Sequence, residues 1–269
     1  MGIAARLYSF VVIRGFKVWV SYKTQVALNF ISWTIPVFLY YFIGLTFGAG
    51  RMAAAIAANY SYTAFATVGI AFQGYFSSAV ATLAGRIRNE ELIGTLEYQM
   101  AAPLKPISLM FYSTVWGFVV NSISTVTILL IGYGLGIKYI INPLSTFVIL
   151  LLYMASIIGL NLISGAVVLI VKQGNPVALF TSVATNILGN VVFPISVLPT
   201  WLRDISYTLS LTWSLDALRR AMLAGEGLGS MTNDIVMLII LSAAYLIIGV
   251  LLTNYAFKRI LKQGTVHMY

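Results

Sequence analysis

The sequence predicts an all-α membrane protein with six transmembrane helices. Of its 269 residues, 60% are hydrophobic and only 9% are charged, whereas a soluble domain carries about 25% charged residues. The apolar residues are grouped into runs of roughly 20 residues, the length that an α-helix needs to cross the hydrocarbon core of a bilayer. Short polar stretches containing Gly, Pro or charged residues separate these runs.

The composition also argues against several classes of protein. The chain has no cysteine and a single histidine, His267, so we expect neither thiolate chemistry nor a metal site. It has no Gly-x-x-x-x-Gly-Lys-Ser/Thr loop, so we expect it to bind no nucleotide cofactor itself. We expect no catalytic residues, because the sequence shows no paired catalytic carboxylates, nucleophile triad or metal-ligand cluster. We expect no nucleic-acid partner, because the net charge of +9 is better explained by the sidedness of a membrane protein.

Residues 1–24 are predicted to form an N-terminal interfacial amphipathic helix and not a seventh span. Arg6, Arg14 and Lys17 share one narrow stripe of the helix. Each would cost about 2.5 to 3.5 kcal/mol near the centre of a bilayer. The rest of the helix surface is largely apolar, as in helices that lie in the membrane interface, and is covered by Tyr8, Val12, Phe16 and Trp19.

The remaining residues, 25–269, are predicted to form one six-span transmembrane domain. Pro36 lies inside the first span and predicts a kink there, and Pro194 is predicted to interrupt the fifth span. The predicted spans cover roughly residues 25–47, 60–83, 107–132, 144–171, 177–198 and 235–257.

The basic residues predict the orientation of these spans. An even number of spans puts both termini on one side, and that side would hold eleven of the 16 Lys and Arg residues: Arg6, Arg14, Lys17, Lys23, Arg86, Arg88, Lys105, Lys172, Lys258, Arg259 and Lys262. Cytoplasmic segments are enriched in Lys and Arg. We therefore expect a multi-pass protein of the cell membrane with both termini in the cytoplasm.

The loop over residues 86–106 is then cytoplasmic and holds three of the seven acidic residues. Asn89 is predicted to cap a short helix that carries Glu90 and Glu91 in its first turn and ends before Pro103. The apolar residues of this helix fall within one arc about 100° wide, and they are Leu92, Ile93, Leu96 and Met100. This stripe must rest on the protein's own spans or on a soluble partner.

Residues 199–234 are too apolar for a free loop and are predicted to form short re-entrant helices on the outer side. Helical spacing relates Leu211, Leu215, Leu218 and Met222. Asp216 lies three and four residues before Arg219 and Arg220, a spacing that predicts an ion pair with one of them.

Two stretches resemble the permease subunits of ABC type-2 exporters. Residues 91–97, Glu-Leu-Ile-Gly-Thr-Leu-Glu, followed by Pro103, resemble the Glu-x-x-Gly-Thr-Leu-Glu motif and downstream proline of that family's cytoplasmic loop. Residues 193–202 and 211–219 resemble its fifth span and outer re-entrant region. Many relatives carry Asn-Pro where this chain has Leu209-Ser210.

The resemblance implies that the cytoplasmic loop contains a coupling helix that docks on a separate ATP-binding subunit. The complex would contain two permease subunits, identical or different, and two ATP-binding subunits that hold ATP and Mg. The subset of the family with Gly-Thr-Leu-Glu resembles exporters of drugs, antibiotics or lipids. The expected docking residues are Arg88, Glu90, Glu91, Leu92, Ile93, Thr95, Leu96, Glu97 and Met100.

Polar amides inside the spans either join helices or line a wet path. They are Asn29, Gln73, Asn121, Asn161, Asn186 and Asn190. The residues expected to line the substrate path are Phe30, Trp33, Gln73, Asn186, Asn190 and Phe193. Alternative functions are a polysaccharide or glycolipid permease, an ATP-independent secondary transporter or channel, and a scaffold without flux. The predicted spans lack a central acidic residue, which disfavours an ion-coupled transporter.

Overall fold

The structure is a computed structural model and describes residues 8–47, 60–93, 106–171 and 185–263. These residues form helices and contain no strand. The first helix, α1, is π-helical over Ser9–Lys17 and α-helical over Val18–Ser21. The others are α2 (Lys23–Phe47), α3 (Tyr62–Ile93), α4 (Pro106–Gly134), α5 (Pro143–Val171), α6 (Thr200–Ser206), α7 (Ser210–Leu223) and α8 (Thr232–Gln263), with 3-10 turns at Ile195–Val197 and Leu228–Met231.

Four segments of the described ranges are long and apolar enough to cross a membrane: Lys23–Thr46, Val115–Gly134, Pro143–Val171 and Leu228–Arg259. They correspond to the predicted first, third, fourth and sixth spans. The all-helical fold is thus confirmed for the residues that the structure describes. The count of six spans stays a prediction, since the predicted second and fifth spans are not among these four segments and residues 177–184 of the fifth lie outside the described ranges.

Helix α3 corrects the predicted start of the loop helix. It runs unbroken from Tyr62 to Ile93, so Asn89 lies inside a helix and caps none. The physical reason is that the flanking Arg, Glu and Leu residues favour helix, whereas an interior Asn costs less than about 1 kcal/mol. With 32 residues the helix is about 48 Å long, which exceeds the roughly 30 Å of a bilayer core.

The fifth segment breaks earlier than predicted. Residues 185–188 are helical, and the chain leaves the helix at Gly189 and Asn190, before Pro194. Asn190 has a φ of +56°, a left-handed conformation that Asn tolerates better than most residues. We refer to residues 189–193 as the break.

Helix α5 lies at the centre of the fold and packs closely against α8. A β-carbon on Gly159 would lie 2.5 Å from the carbonyl carbon of Tyr245, and one on Gly249 would lie 2.7 Å from the carbonyl oxygen of Gly159. Ser242 Oγ also donates to the carbonyl oxygen of Leu152 at 3.0 Å. Small residues and hydroxyl hydrogen bonds hold the two helices together, as is typical of membrane proteins.

The N-terminal helix α1 is separated from α2 by a single non-helical residue, Tyr22, where φ is −92° and ψ is 70°. Gly15 packs against the ring of Trp116 on α4, and the rings of Trp19 and Trp116 lie edge to face with centroids 6.4 Å apart. A helix at this position is therefore confirmed. Its location in the membrane interface stays a prediction.

Helix α7 lies in the predicted outer region and is enclosed by α3, α5 and α8. The spacing of its apolar residues is confirmed, because Leu211, Leu215 and Leu218 are fully buried. Its last carbonyl groups are satisfied by the turn between α4 and α5. The amide of Ile140 donates to Met222 and the amide of Asn142 donates to Ala221, each at 2.9 Å, so the end of the helix is capped by neighbouring backbone.

Candidate functional site

Two of the predicted path residues, Gln73 and Asn186, are in direct contact. Gln73 Nε2 on α3 donates a hydrogen bond to Asn186 Oδ1 at 3.1 Å. Gln73 is half-buried and Asn186 is exposed, so this pair of amides lies where a buried helix meets open surface. The bond joins α3 to the residues immediately before the break.

Asn190 and Phe193 belong to the break itself and point to different environments. Asn190 is 3% exposed, and its Oδ1 has no hydrogen-bond partner among the described residues. Phe193 is 37% exposed. Four of the six predicted path residues, namely Gln73, Asn186, Asn190 and Phe193, therefore lie on or beside one irregular stretch of backbone.

Arg219 on α7 is predicted from the sequence only as a candidate ion-pair partner of Asp216, and its contact with the break was not predicted. It is fully buried, and its Nε donates to the carbonyl oxygen of Phe65 at 3.1 Å. Its Nη2 donates to the carbonyl oxygen of Val191 in the break at 2.8 Å. The available signal was its position four residues after Leu215, on the apolar face of α7.

The electrostatics around α7 differ from the predicted ion pair. Among the described residues Asp216 forms no ion pair with either arginine, so that prediction was wrong. Arg220 pairs with Glu226 at 2.7 Å and Asp234 at 3.0 Å, because the turn after α7 brings those carboxylates back over its last helical turn. Burial raises the pKa of Asp216 above its ordinary value, and the nearby positive charges of Arg219 and Arg220 offset only part of this increase.

Burial also affects Arg219. It lowers the pKa of Arg219 to about 9, while the nearby Tyr60 and Asp216 oppose this shift. The guanidinium therefore stays charged at neutral pH. Its Cζ lies 3.4 Å from the centroid of the Phe65 ring, a cation–π contact that compensates part of the lost hydration.

The comparison with known families identifies the chain. A family model of the ABC-2 type transporter matches residues 7–223. The chain belongs to the ABC-2 type transporter family. No curated protein matches it. Permeases of the ABC-2 family generally partner with ATP-binding subunits, and the matched region contains the two stretches that carried the resemblance.

The predicted docking residues of this ABC-2 chain begin at the end of α3. Arg88, Glu90, Glu91, Leu92 and Ile93 belong to the last turns of that helix. The other predicted docking residues lie outside the described residues and stay predictions, and they are Thr95, Leu96, Glu97 and Met100. In this ABC-2 chain, one helix therefore connects the predicted docking loop to Gln73.

The remaining predicted path residues of the ABC-2 chain, Phe30 and Trp33, form a separate aromatic pair. Their rings lie edge to face on α2, with centroids 5.1 Å apart. Only 6% of the most apolar 18-residue stretch of α2 is buried. Phe30 is 37% exposed, and Trp33 packs on the core. The structure places this pair on α2 and not on the break.

Asn121 joins two helices of the ABC-2 domain. Its Nδ2 donates to Ser78 Oγ on α3 at 2.5 Å and to the carbonyl oxygen of Gly117 at 2.7 Å. Asn29, in contrast, accepts from Gln25 on its own helix at 3.1 Å. Within the described ranges no group of three or more His, Cys, Asp or Glu side chains is placed to hold a metal ion.

Proposed function

We propose that this ABC-2 chain is the permease subunit of an exporter that moves a hydrophobic or amphipathic compound across the cell membrane. Two permease subunits form the path, and two separate ATP-binding subunits supply the energy. Both termini and the coupling loop face the cytoplasm. The family match over residues 7–223 carries this proposal, together with the Gly-Thr-Leu-Glu motif that starts directly after α3.

Helix α3 supports a mechanical link between the coupling loop and the path. Gln73 and Ile93 lie 20 residues apart on one unbroken helix, which corresponds to about 30 Å. A displacement of the loop by the ATP-binding subunit would therefore move Gln73 as part of the same rigid element. The Gln73–Asn186 contact then passes the motion to the break.

The surroundings of the break favour an amphipathic substrate. The amides of Gln73 and Asn186 provide hydrogen-bond donors and acceptors, with Asn186 three residues before the break, and the partly exposed ring of Phe193 ends it. Such a site matches a molecule with one polar group and a large apolar part. A polysaccharide or glycolipid substrate is the second candidate, because sugars stack on exposed rings such as Phe30.

The decisive experiment reconstitutes the chain in liposomes with a candidate ATP-binding subunit that co-purifies with it. Efflux of the lipophilic dye rhodamine 6G, loaded in the vesicles, is measured with and without ATP enclosed in the same lumen. We expect flux only when both subunits and ATP are present, and none when the phosphate-loop lysine of the ATP-binding subunit is replaced. ATP-independent flux through the chain alone would contradict the proposal and support a secondary transporter. Flux of a lipid-linked oligosaccharide alone would support the second candidate.

A further inference from the structure

We propose that Arg219 is a positioning residue that fixes the backbone of the break and thereby the wall of the substrate path, an inference that rests on the proposed function. One guanidinium on α7 binds the carbonyl oxygen of Val191 at 2.8 Å and that of Phe65 at 3.1 Å. It therefore ties the break to the first turn of α3. These two partners are 28 and 154 residues away from Arg219 in the chain.

We refer to the contacts of Arg219 with the carbonyl groups of Phe65 and Val191 as the junction. Arginine suits this junction better than lysine. The planar guanidinium presents several donors in a rigid fork and can bind two carbonyl groups from different segments at once, whereas an ammonium is a point donor on a flexible stem. Val191 is 2% exposed, so its carbonyl lies away from water, and loss of the bond from Arg219 would remove a buried hydrogen bond. A buried charge is costly. Among the described residues Arg219 has no ion-pair partner, which indicates that the two carbonyl contacts are the role of its guanidinium.

The opposite side of the junction is equally specific. Gly69 on α3 leaves room for the Val191 carbonyl, because a β-carbon there would collide with that oxygen and lie 2.6 Å from Arg219 Nη2. Asn190, with its φ of +56°, directly precedes Val191. Three segments, α3, the break and α7, thus meet around the carbonyl group of Val191.

This junction sets the position of the path residues. Gln73 lies four residues after Gly69 and therefore on the same face of α3. Asn186 and Phe193 lie five residues before and two residues after Val191. Because the Val191 carbonyl is held against Gly69, the position of Asn186 along α3 is fixed opposite Gln73. The same contact limits the positions that the Phe193 ring can occupy.

The absence of native cysteine allows a local test. Val191→Cys reports on the break, and Ala166→Cys, which is fully buried in the contact between α5 and α8, reports on general loosening. Each reporter is placed in the full chain in detergent, and its rate of labelling by N-ethylmaleimide is measured without ATP or substrate. Arg219→Met should raise the rate at position 191 on the order of tenfold, since charge-assisted hydrogen bonds that restrain local opening are lost. The rate at position 166 should not change.

Two further variants keep the test decisive if Arg219→Met does not fold. Arg219→Lys should give an intermediate rate at position 191, because one of the two carbonyl contacts is retained. Gly69→Ala should raise the same rate with Arg219 intact. Unchanged labelling at position 191, or an equal rise at positions 191 and 166, would overturn the positioning role. Because labelling needs no transport, failure of the dye-efflux experiment would leave this result standing, and the reverse also holds.

Discussion

Gly69 packs its bare Cα so closely against Val191 that a β-carbon would collide with the carbonyl oxygen of that residue. Backbone atoms cannot rotate away as side chains can, so we predict that Gly69→Ala destabilises the protein by about 1 to 3 kcal/mol. The gain in helix propensity, at most about 1 kcal/mol, is smaller. Thermal unfolding of the purified chain in detergent measures the effect as a lower Tm.

Gly117→Ala is the matched control for this substitution. A β-carbon on Gly117, in α4, meets nothing within 4 Å, so the Tm should stay the same or rise slightly through helix propensity. If both variants show the same Tm, the close approach of Gly69 to Val191 is not present in the folded protein.

The hydrogen bond between Gln73 and Asn186 predicts that substitutions at these two positions are not additive. The variants Gln73→Ala, Asn186→Ala and the double variant form a cycle whose coupling free energy should be about 0.5 to 1.5 kcal/mol. The Gln25–Asn29 pair on exposed α2 is the control, and an exposed pair four residues apart on a helix should couple by only about 0.2 to 0.5 kcal/mol. Unfolding of each variant gives the free energies. Additive losses at positions 73 and 186 would argue that the two amides do not touch in the membrane.

The ion pair of Glu226 predicts how stability depends on pH. Hydrogen bonds from Arg220 and Ser230 lower the pKa of Glu226 below its ordinary value of 4.5. Its contribution to stability is therefore complete above the unfolded-state pKa and is lost as the pH falls through the lower folded pKa. At neutral pH Glu226→Gln should cost no more than about 1 kcal/mol, because the pair is partly exposed.

Thermal unfolding between pH 7 and pH 3 tests this dependence. The Tm difference between the wild type and Glu226→Gln should be largest near neutral pH and shrink below pH 4.5. Asp204→Asn, an exposed carboxylate without an ion pair among the described residues, is the control and should show little difference at any pH. A Tm difference for Glu226→Gln that grows in acid would contradict the assignment.

If residues 86–106 dock on the ATP-binding subunit as proposed, substitutions there should impair energy transfer without affecting folding. Leu96→Asp puts a charge into the predicted apolar docking stripe, and Glu97→Arg reverses a charge beside it, so both should weaken docking of the ATP-binding subunit. Drug-stimulated ATPase activity of the complex should fall, with the Tm of the isolated chain unchanged. Asp204→Arg on α6 is a control with the same charge reversal away from the loop. Full ATPase coupling in both loop variants would show that the motif is not the docking site.

Local features of the sequence predicted most of the helices. Long apolar runs at Lys23–Thr46, Pro143–Val171 and Leu228–Arg259 leave little choice, because only a helix satisfies its own backbone in lipid. The prediction failed where a single residue, Asn89 or Pro194, was taken as a helix boundary. Asn89 is tolerated within α3, and Pro194 follows a break that Gly189 and Asn190 had already produced.

The features of the site that the sequence did not predict depend on contacts between segments that are distant in the chain. Asp216 and Arg219 have the spacing of an ion pair, but the carbonyl groups of Phe65 and Val191 are what bind the guanidinium. Nothing in the local pattern around Arg219 specifies partners from α3 and the break. For Gln73 and Asn186 the sequence did predict that an amide within a span needs a partner, and the fold supplied which one.

The turn between α4 and α5 is bound through Ile140 and Asn142 to the last carbonyl groups of α7, and α7 carries Arg219. An antibody fragment that binds residues 137–142 would thus restrain the break through α7 and Arg219, without contacting the predicted path residues. We expect such a fragment to act as a non-competitive inhibitor of transport, so that high concentrations of substrate would not relieve the inhibition.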